Sequence, residues 1–117
     1  MKEPQQYHLV YGDGSSMEII RNGEADMVLT SPSYFSADTE YLLKQPRKEQ
    51  TEVLRVREEV TAFALSLRPV YEEIKRILRP GGILALQVKD VTYGGFQLPI
   101  CSMHREMAES TGLMLLT

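Results

Sequence analysis

The chain has 117 residues, of which 43% are hydrophobic and 25% charged, a composition that suits one small globular domain and excludes two domains of ordinary size. Its net charge of −3 excludes a general positive charge that would attract nucleic acid or an acidic membrane. The polar segment Met1–Tyr7 and the short apolar runs predict neither a secretory signal nor a membrane span, and the single cysteine, Cys101, excludes an internal disulfide. We expect a cytoplasmic protein.

The first third of the chain predicts two strands with a short helix between them. The first strand runs into the turn Gly12-Asp13-Gly14, and Asn22-Gly23 ends the helix after about two turns. The second strand is expected to be buried, because its residues are apolar and Pro32 cannot continue a central sheet ladder. The predicted ranges are 7–11 and 26–30 for the strands and 17–21 for the helix.

A long charged loop is predicted at 35–57. Apolar content falls sharply between Phe35 and Gln50, Pro46 breaks any helix there, and loops of this length are usually functional or mobile. Within 44–57, five basic residues oppose two glutamates, a local charge of 5 − 2 = +3. This segment is a candidate for phosphate contact, and a solvated charged loop entering an amphipathic helix is the alternative. The basic residues are Lys44, Arg47, Lys48, Arg55 and Arg57.

The remaining sequence alternates between helix and strand patterns. Apolar residues recur at spacings of three and four from Val56 to Leu78, which predicts one long helix kinked or split at Pro69. Leu78-Arg79-Pro80-Gly81-Gly82 ends that helix, and the apolar run that follows predicts a strand buried on both faces. The predicted elements from there on are a strand at 83–88, a turn at 93–96, a helix at 98–110 and the opening of a strand at 113–117.

This alternation predicts an α/β fold with a mostly parallel sheet and flanking helices, in which ligands bind at the carboxyl ends of strands. Asp13, Ser31 and Asp90 fall at such ends. Each also has an ordinary role in turns or caps, most of all Asp13 within Gly-Asp-Gly. The side chains expected to be structural are His8 and His104 as structural or surface histidines, Met103 and Met107 as core filler, and Cys101 as a small buried residue.

The segment 26–35, DMVLTSPSYF, resembles the catalytic Ser-Pro-Pro-Tyr/Phe motif of DNA amino-methyltransferases. Those enzymes methylate the exocyclic amine of cytosine or adenine with S-adenosylmethionine. Three further segments are similar to the family: YGDG before a short helix, LRPGGILALQVKD at the end of a long helix, and LPI opening the next helix. The resemblance covers nearly the whole chain and implies a partial Rossmann-like S-adenosylmethionine-dependent methyltransferase fold.

The resemblance also implies a role for each motif residue. Ser31 and the Pro32 carbonyl would hold the target amine, and Tyr34 would stack on a base flipped out of double-stranded DNA, offsetting part of an unstacking cost of a few kcal/mol. Asp13 and Ser31 would contact the cofactor. Serine at the first motif position favours cytosine N4 over adenine N6 as the target. The expected DNA contacts are Tyr34, Lys44, Arg47 and Lys48.

Two features depart from the family pattern. Ser33 stands where the family usually has a second proline, which restores a backbone donor and some freedom to the loop. The glycine-rich Phe-x-Gly-x-Gly cofactor loop does not occur in the sequence. Residues 1–117 therefore predict a single incomplete catalytic segment with weak or no activity in isolation.

Two other classes of protein remain open from the sequence. One is a remnant methyltransferase fold that serves as an interaction or assembly module, its exposed sheet edge covered by self-association. The other is an unrelated nucleotide-binding α/β domain. That class is the least favoured, since Gly12-Asp13-Gly14 has too few glycines and no lysine to cradle phosphates.

Overall fold

The computed structural model describes residues 9–10, 12–36, 39, 44 and 50–116. The described elements begin with a strand, two helices and a second strand, and continue with a hairpin and a third helix. None of the described helices is long and apolar enough to cross a membrane. In chain order the elements are β1 (Ala25–Thr30), α1 (Gln50–Ser66), α2 (Arg68–Ile77), β2 (Leu78–Leu86), β3 (Val91–Tyr93), β4 (Phe96–Leu98) and α3 (Ile100–Ser110).

Parallel pairing of β1 with β2 confirms the predicted α/β class. The paired stretch runs from Met27 beside Ile83 to Thr30 beside Leu86, and α1 and α2 lie in the connection between the two strands. Such a connection is what parallel neighbours require, because a tight turn cannot bring the chain back to the start of the sheet. The predicted strand at 26–30 is confirmed as β1.

Strand β2 contains a bulge near its start that β1 lacks. One residue separates Ala25 from Met27 in β1, whereas four separate their partners in β2, so β2 bulges at 79–82. Arg79 Nε donates to Asp26 Oδ1 at 2.7 Å across the bulge. A Cβ on Gly82 would lie 2.8 Å from the Arg79 carbonyl oxygen and 3.2 Å from that of Asp26. Glycine at 82 is thus required by close backbone approach.

Proline divides the predicted long helix. α1 ends at Ser66, α2 begins at Arg68, and Pro69 lies in the first turn of α2, where its missing N–H leaves no hydrogen bond unmade. The predicted split is confirmed. The apolar face is also as expected, with five of its members buried: Val56, Val60, Tyr71, Ile74 and Leu78.

The hairpin β3–β4 turns through Gly94-Gly95. Both glycines have positive φ, +58° and +79°, as a two-residue hairpin turn that matches strand twist requires. Tyr93 pairs with Phe96 across this turn, and the predicted turn at 93–96 is confirmed. Helix α3 follows, beginning two residues later than the predicted start at Leu98 because Leu98 ends β4.

Two core clusters hold these elements together. The first core cluster joins α1 to the hairpin and to the start of α3. The second core cluster joins α2 and α3 to one face of the parallel strands, including Val28, Leu84 and Leu86, and contains Met107 as predicted. The buried members of the first are Val53, Val56, Val60, Tyr93, Leu98 and Ile100; those of the second are Tyr71, Ile74, Leu78 and Met107.

The other face of the parallel sheet is open, so the prediction that both strands are fully buried is wrong. Met27, Leu29 and Ile83 are 55%, 74% and 47% exposed. The strand register sets Met27 beside Ile83 and Leu29 beside Ala85, which makes a continuous apolar strip, here called the open face. The described helices that contact the sheet pack on its opposite face, through the second core cluster.

Four other sequence predictions are wrong where the structure describes them. Residues 17–21 form a single turn, closed by the Ile20 N–H donating to the Met17 carbonyl at 3.0 Å, in place of a two-turn helix. Residues 9–10 and 113–116 form no strand and have no strand beside them within the described ranges. Residues 50–57 belong to α1, so the predicted mobile loop does not extend to 57.

Side chains of α2 form hydrogen bonds with the 17–24 segment. Glu73 Oε1 accepts from the Met17 N–H at 2.9 Å, while Arg76 donates to the Met17 carbonyl at 3.0 Å and to Asn22 Oδ1 at 2.8 Å. Arg76 also pairs with Glu73 itself. The hydrogen bonds from Arg76 and from the Met17 N–H lower the pKa of Glu73 to about 2. These contacts attach the segment before β1 to the helix before β2.

Replacing Gly82 with alanine should destabilise the fold by about 1–3 kcal/mol, since the added methyl group overpacks the bulge. Gly12→Ala is the matched control, because a Cβ at Gly12 meets nothing within 4 Å. Urea unfolding of both variants measures the difference. Equal stabilities of the two variants would show that the bulge tolerates a side chain.

Glu73→Gln should remove a stabilising contribution that depends on pH. A carboxyl group whose pKa is about 2 in the folded state and 4.5 ordinarily stabilises the fold above pH 4.5 and loses that effect as the pH falls through 2. The variant should therefore be less stable than the parent at pH 7, with the gap closing towards pH 2. Glu72→Gln, in an exposed pair with Arg68, should leave a small difference at every pH in the same unfolding assay.

Candidate active site at the carboxyl ends of the parallel strands

The motif segment leaves the sheet directly after β1. Ser31 is the first residue beyond the strand and is exposed, Pro32 is half-buried, and Ser33 is exposed. The Gln87 N–H donates to the Thr30 carbonyl at 3.0 Å, which extends the strand pairing to the last residue before the motif. The Ser31 hydroxyl is therefore presented to solvent from a well-fixed strand end, where α/β proteins bind ligands.

Tyr34 turns back towards the protein. Its half-buried ring packs against the first core cluster together with Phe35. The two rings meet edge to face, with centroids 5.8 Å apart and planes at 88°. The ring that the sequence assigns to base stacking thus has part of its surface covered and its orientation constrained by aromatic neighbours.

A buried histidine is the second aromatic neighbour of Tyr34. His104 of α3 is 1% exposed, and its ring centroid lies 6.2 Å from that of Tyr34. Its Nδ1 atom lies 2.6 Å from the hydroxyl of buried Tyr71 of α2, so the two groups share a hydrogen bond. Burial raises the pKa of Tyr71 to about 12 and lowers the pKa of His104, so both groups are uncharged at neutral pH.

The sequence identified His104 as structural but missed its contact with the motif. Residues 34, 71 and 104 belong to three separate segments, and no local pattern links them. The Tyr34 ring meets His104 only in the assembled fold, where α3 also packs against α2.

Asp13 adopts the turn role that is the alternative expected for an aspartate within Gly-Asp-Gly. Its Oδ1 accepts from the Ser15 N–H at 2.8 Å, and its carbonyl accepts from the Ser16 N–H at 3.1 Å. The Ser15 hydrogen bond lowers the pKa of Asp13. Gly14 lies close to Val70, which places this turn against the beginning of α2. The exposed carboxylate keeps its negative charge at neutral pH, and its contact with a cofactor stays a prediction.

Asp90, the third polar residue predicted at a strand end, supports α3. Its Oδ1 accepts from the Cys101 N–H at 2.9 Å and so binds a backbone donor in the first turn of that helix, whose N-cap residue, Pro99, makes no side-chain cap. Burial and the neighbouring Asp90 raise the pKa of the Cys101 thiol. A raised thiol pKa is unfavourable for a nucleophile, as expected for a structural Cys101, but the residue is half-buried and not buried as predicted.

The predicted DNA contacts are only partly within the described ranges. Lys44 is exposed, whereas Arg47 and Lys48 lie outside the described residues. Arg55 pairs with Glu59 on the next turn of α1 at 3.1 Å. The positive charge does not extend along α1, because residues 50–60 carry two arginines and three glutamates, a sum of 2 − 3 = −1.

One residue of the predicted surface loop is anchored in the protein. Thr39 is 1% exposed, and its hydroxyl donates to Glu59 Oε2 at 2.8 Å. Its N–H donates to Ser36 Oγ at 3.2 Å, in the spacing of a helix N-cap. The Thr39 hydrogen bond lowers the pKa of Glu59. The expectation of a surface loop is therefore wrong at Thr39, which is fixed to α1.

Comparison with known proteins adds no relative. No family model, curated protein or solved structure matches the chain. The case for the site therefore rests on its own residues. The exposed Ser31 hydroxyl and the Pro32 carbonyl lie at a strand end, with the constrained Tyr34 ring after them. The exposed Asp13 carboxylate lies in the turn that packs against the start of α2.

Proposed function

We propose that the chain is the catalytic segment of an S-adenosylmethionine-dependent DNA amino-methyltransferase, with cytosine N4 favoured over adenine N6. The observation that carries the proposal is the position of Ser31-Pro32-Ser33-Tyr34 directly after a strand of a parallel pair, with the Ser31 side chain exposed. The α/β class and the parallel pairing support it, since ligands of such folds bind at that end of the sheet.

The chemistry explains why these groups suit the reaction. The lone pair of an exocyclic amine on a nucleobase is delocalised into the ring. The amine becomes nucleophilic when hydrogen-bond acceptors bind its two hydrogens so that the nitrogen becomes tetrahedral and its lone pair leaves conjugation. The Ser31 hydroxyl oxygen and the Pro32 carbonyl are two such acceptors on adjacent residues. S-adenosylmethionine, when bound, supplies an electrophilic methyl group on sulfur.

The polar residues present fit part of a cofactor site. The Asp13 carboxylate is exposed and ionised, and it suits the hydroxyl or amino donors of an adenosine. The exposed Ser31 hydroxyl suits a second contact. The glycine-rich loop of the related enzymes does not occur in the chain, so we expect weak binding. Lys44, Arg47 and Lys48 are the proposed phosphate contacts.

The decisive test compares two neighbouring serines. Transfer of labelled methyl from S-adenosylmethionine to DNA should be weak but measurable with the parent chain, and Ser31→Ala should lower it at least tenfold, the equivalent of about 1.4 kcal/mol in the transition state. Ser33→Ala is the control, since it removes an exposed hydroxyl two residues away without removing an assigned acceptor. Nucleoside analysis of the product should give N4-methylcytosine.

Two results would contradict the proposal. One is absence of both methyl transfer and calorimetric S-adenosylmethionine binding by the folded parent chain. The other is an equal loss of activity in the two serine variants, which would show that Ser31 has no special role.

The open face of the sheet favours a second candidate function, an assembly module in which a second copy of the chain covers Met27, Leu29 and Ile83. Parallel sheets normally have both faces covered, and here a strip of large apolar side chains on one face is exposed. The same strip on a second copy is complementary in chemistry, and the pairing removes apolar surface from water in both molecules.

Leu29→Lys should shift the chain towards the monomer, since it places a charge in the centre of that contact. Leu65→Lys, an exposed leucine on α1, is the control and should leave the mass unchanged. Light scattering over a range of concentrations measures both. A parent chain that stays monomeric throughout would exclude the assembly module.

A further inference from the structure

Three rings from distant parts of the chain lie in series behind the motif. Tyr34 of the motif contacts His104 of α3 edge to face, with planes at 69°. His104 in turn contacts Tyr71 of α2, with centroids 6.0 Å apart and planes at 65°. Both spacings lie in the range of favourable aromatic pairs. The series links the motif to two helices of the core.

The middle ring is the best fixed of the three. His104 is almost fully buried and its Nδ1 shares a 2.6 Å hydrogen bond with the Tyr71 hydroxyl. A flipped histidine ring has nearly the same shape, so packing alone does not distinguish the two ring orientations. The hydrogen bond between Nδ1 and the Tyr71 hydroxyl favours one of them. Tyr71 is itself held in the second core cluster.

The contact with His104 differs in kind from the contact with Phe35. Phe35 follows Tyr34 directly in the sequence and packs against the first core cluster beside it, so the contact between these two rings lies within one segment and does not itself join that segment to another. His104 belongs to α3, which packs against both other described helices. Ser33, in place of a second proline, leaves the backbone before Tyr34 less restricted, so the ring contact has more to fix.

We propose that His104, held by Tyr71, is a positioning residue that sets the orientation of the Tyr34 ring for stacking on the target base. The role rests on the proposed function, because Tyr34 is the stacking residue only there. His104 does not itself touch the base in this arrangement. It acts through Tyr34, and its partner Tyr71 acts through His104.

The test removes the hydroxyl oxygen of Tyr71 and follows the ring of Tyr34 at the other end of the series. Tyr71→Phe keeps the packing of Tyr71 and removes its hydrogen bond to His104. With ¹³C-labelled tyrosine rings, the Tyr34 signals in the ligand-free chain should move or broaden in this variant. A Tyr34→Phe variant identifies those signals among the six tyrosines. Ile74→Val, which trims a buried side chain of the same cluster one turn along α2, is the control and should leave them in place.

Cytidine is the probe for the consequence at the site. Titration of the parent chain should shift the Tyr34 ring signals, and Tyr71→Phe should weaken that binding roughly three- to tenfold, as expected when one hydrogen bond orders the ring. His104→Gln offers a second variant, since it can keep a hydrogen bond to Tyr71 but lacks the ring that contacts Tyr34. It should weaken cytidine binding at least as much.

The outcomes separate this proposal from the proposed function. Unmoved Tyr34 signals in both Tyr71→Phe and His104→Gln would overturn the positioning role, as would moved signals with unchanged cytidine affinity. Equal movement in Ile74→Val would reduce it to general core packing and overturn it too. A parent chain whose Tyr34 signals, once identified with Tyr34→Phe, do not respond to cytidine would overturn base stacking at Tyr34, and that result is obtained before the Tyr71 and His104 variants are made.

Discussion

Parallel pairing between β1 and β2 is the constraint on which the arrangement of the molecule depends. Parallel neighbours must be joined by a crossover, and α1 and α2 occupy it. Pairing in this sense also brings the carboxyl ends of both strands to one edge of the sheet. Ser31 follows the first strand there, while Asp90, a few residues beyond the second, binds the first turn of α3. The same constraint thus positions both the motif and the helix that supports it.

Features that depend on a few consecutive residues could be predicted from the sequence. Pro69 marks the break between α1 and α2, because a proline in a helix interior lacks a donor and clashes with the preceding turn, whereas the first turn of a helix accepts it. Gly94-Gly95 predicts a turn for an equally local reason, although the two short strands that flank it were not predicted. The strand β1 and the position of Ser31 directly after it follow from a short apolar run ended by proline. These are backbone properties that the surrounding fold does not override.

Features that depend on what packs against a segment could not be predicted in the same way. An apolar strand is expected to be buried on both faces, yet Leu29 is exposed because the described helices that contact the sheet lie on its other side. Residues 17–21 have a helical pattern but form only one turn, and the Met17 N–H and carbonyl bond to Glu73 and Arg76 of α2. Likewise, nothing near His104 in the sequence indicates Tyr34 as its neighbour. In each case the outcome depends on parts of the protein that are distant in the sequence.

The motif shows how the two kinds of information combine. Pro32 fixes its own φ angle and restricts the residue before it, so the backbone at Ser31 is set locally. Ser33 gives no such restriction, and the orientation of the following residue must come from elsewhere. Tyr34 obtains it from side-chain packing, through the first core cluster and the ring of His104. A second proline at position 33 would restrict the backbone of the loop locally, whatever packs against it. In this chain the Tyr34 ring contacts the core directly, so the position of that ring and the packing of α3 are physically coupled.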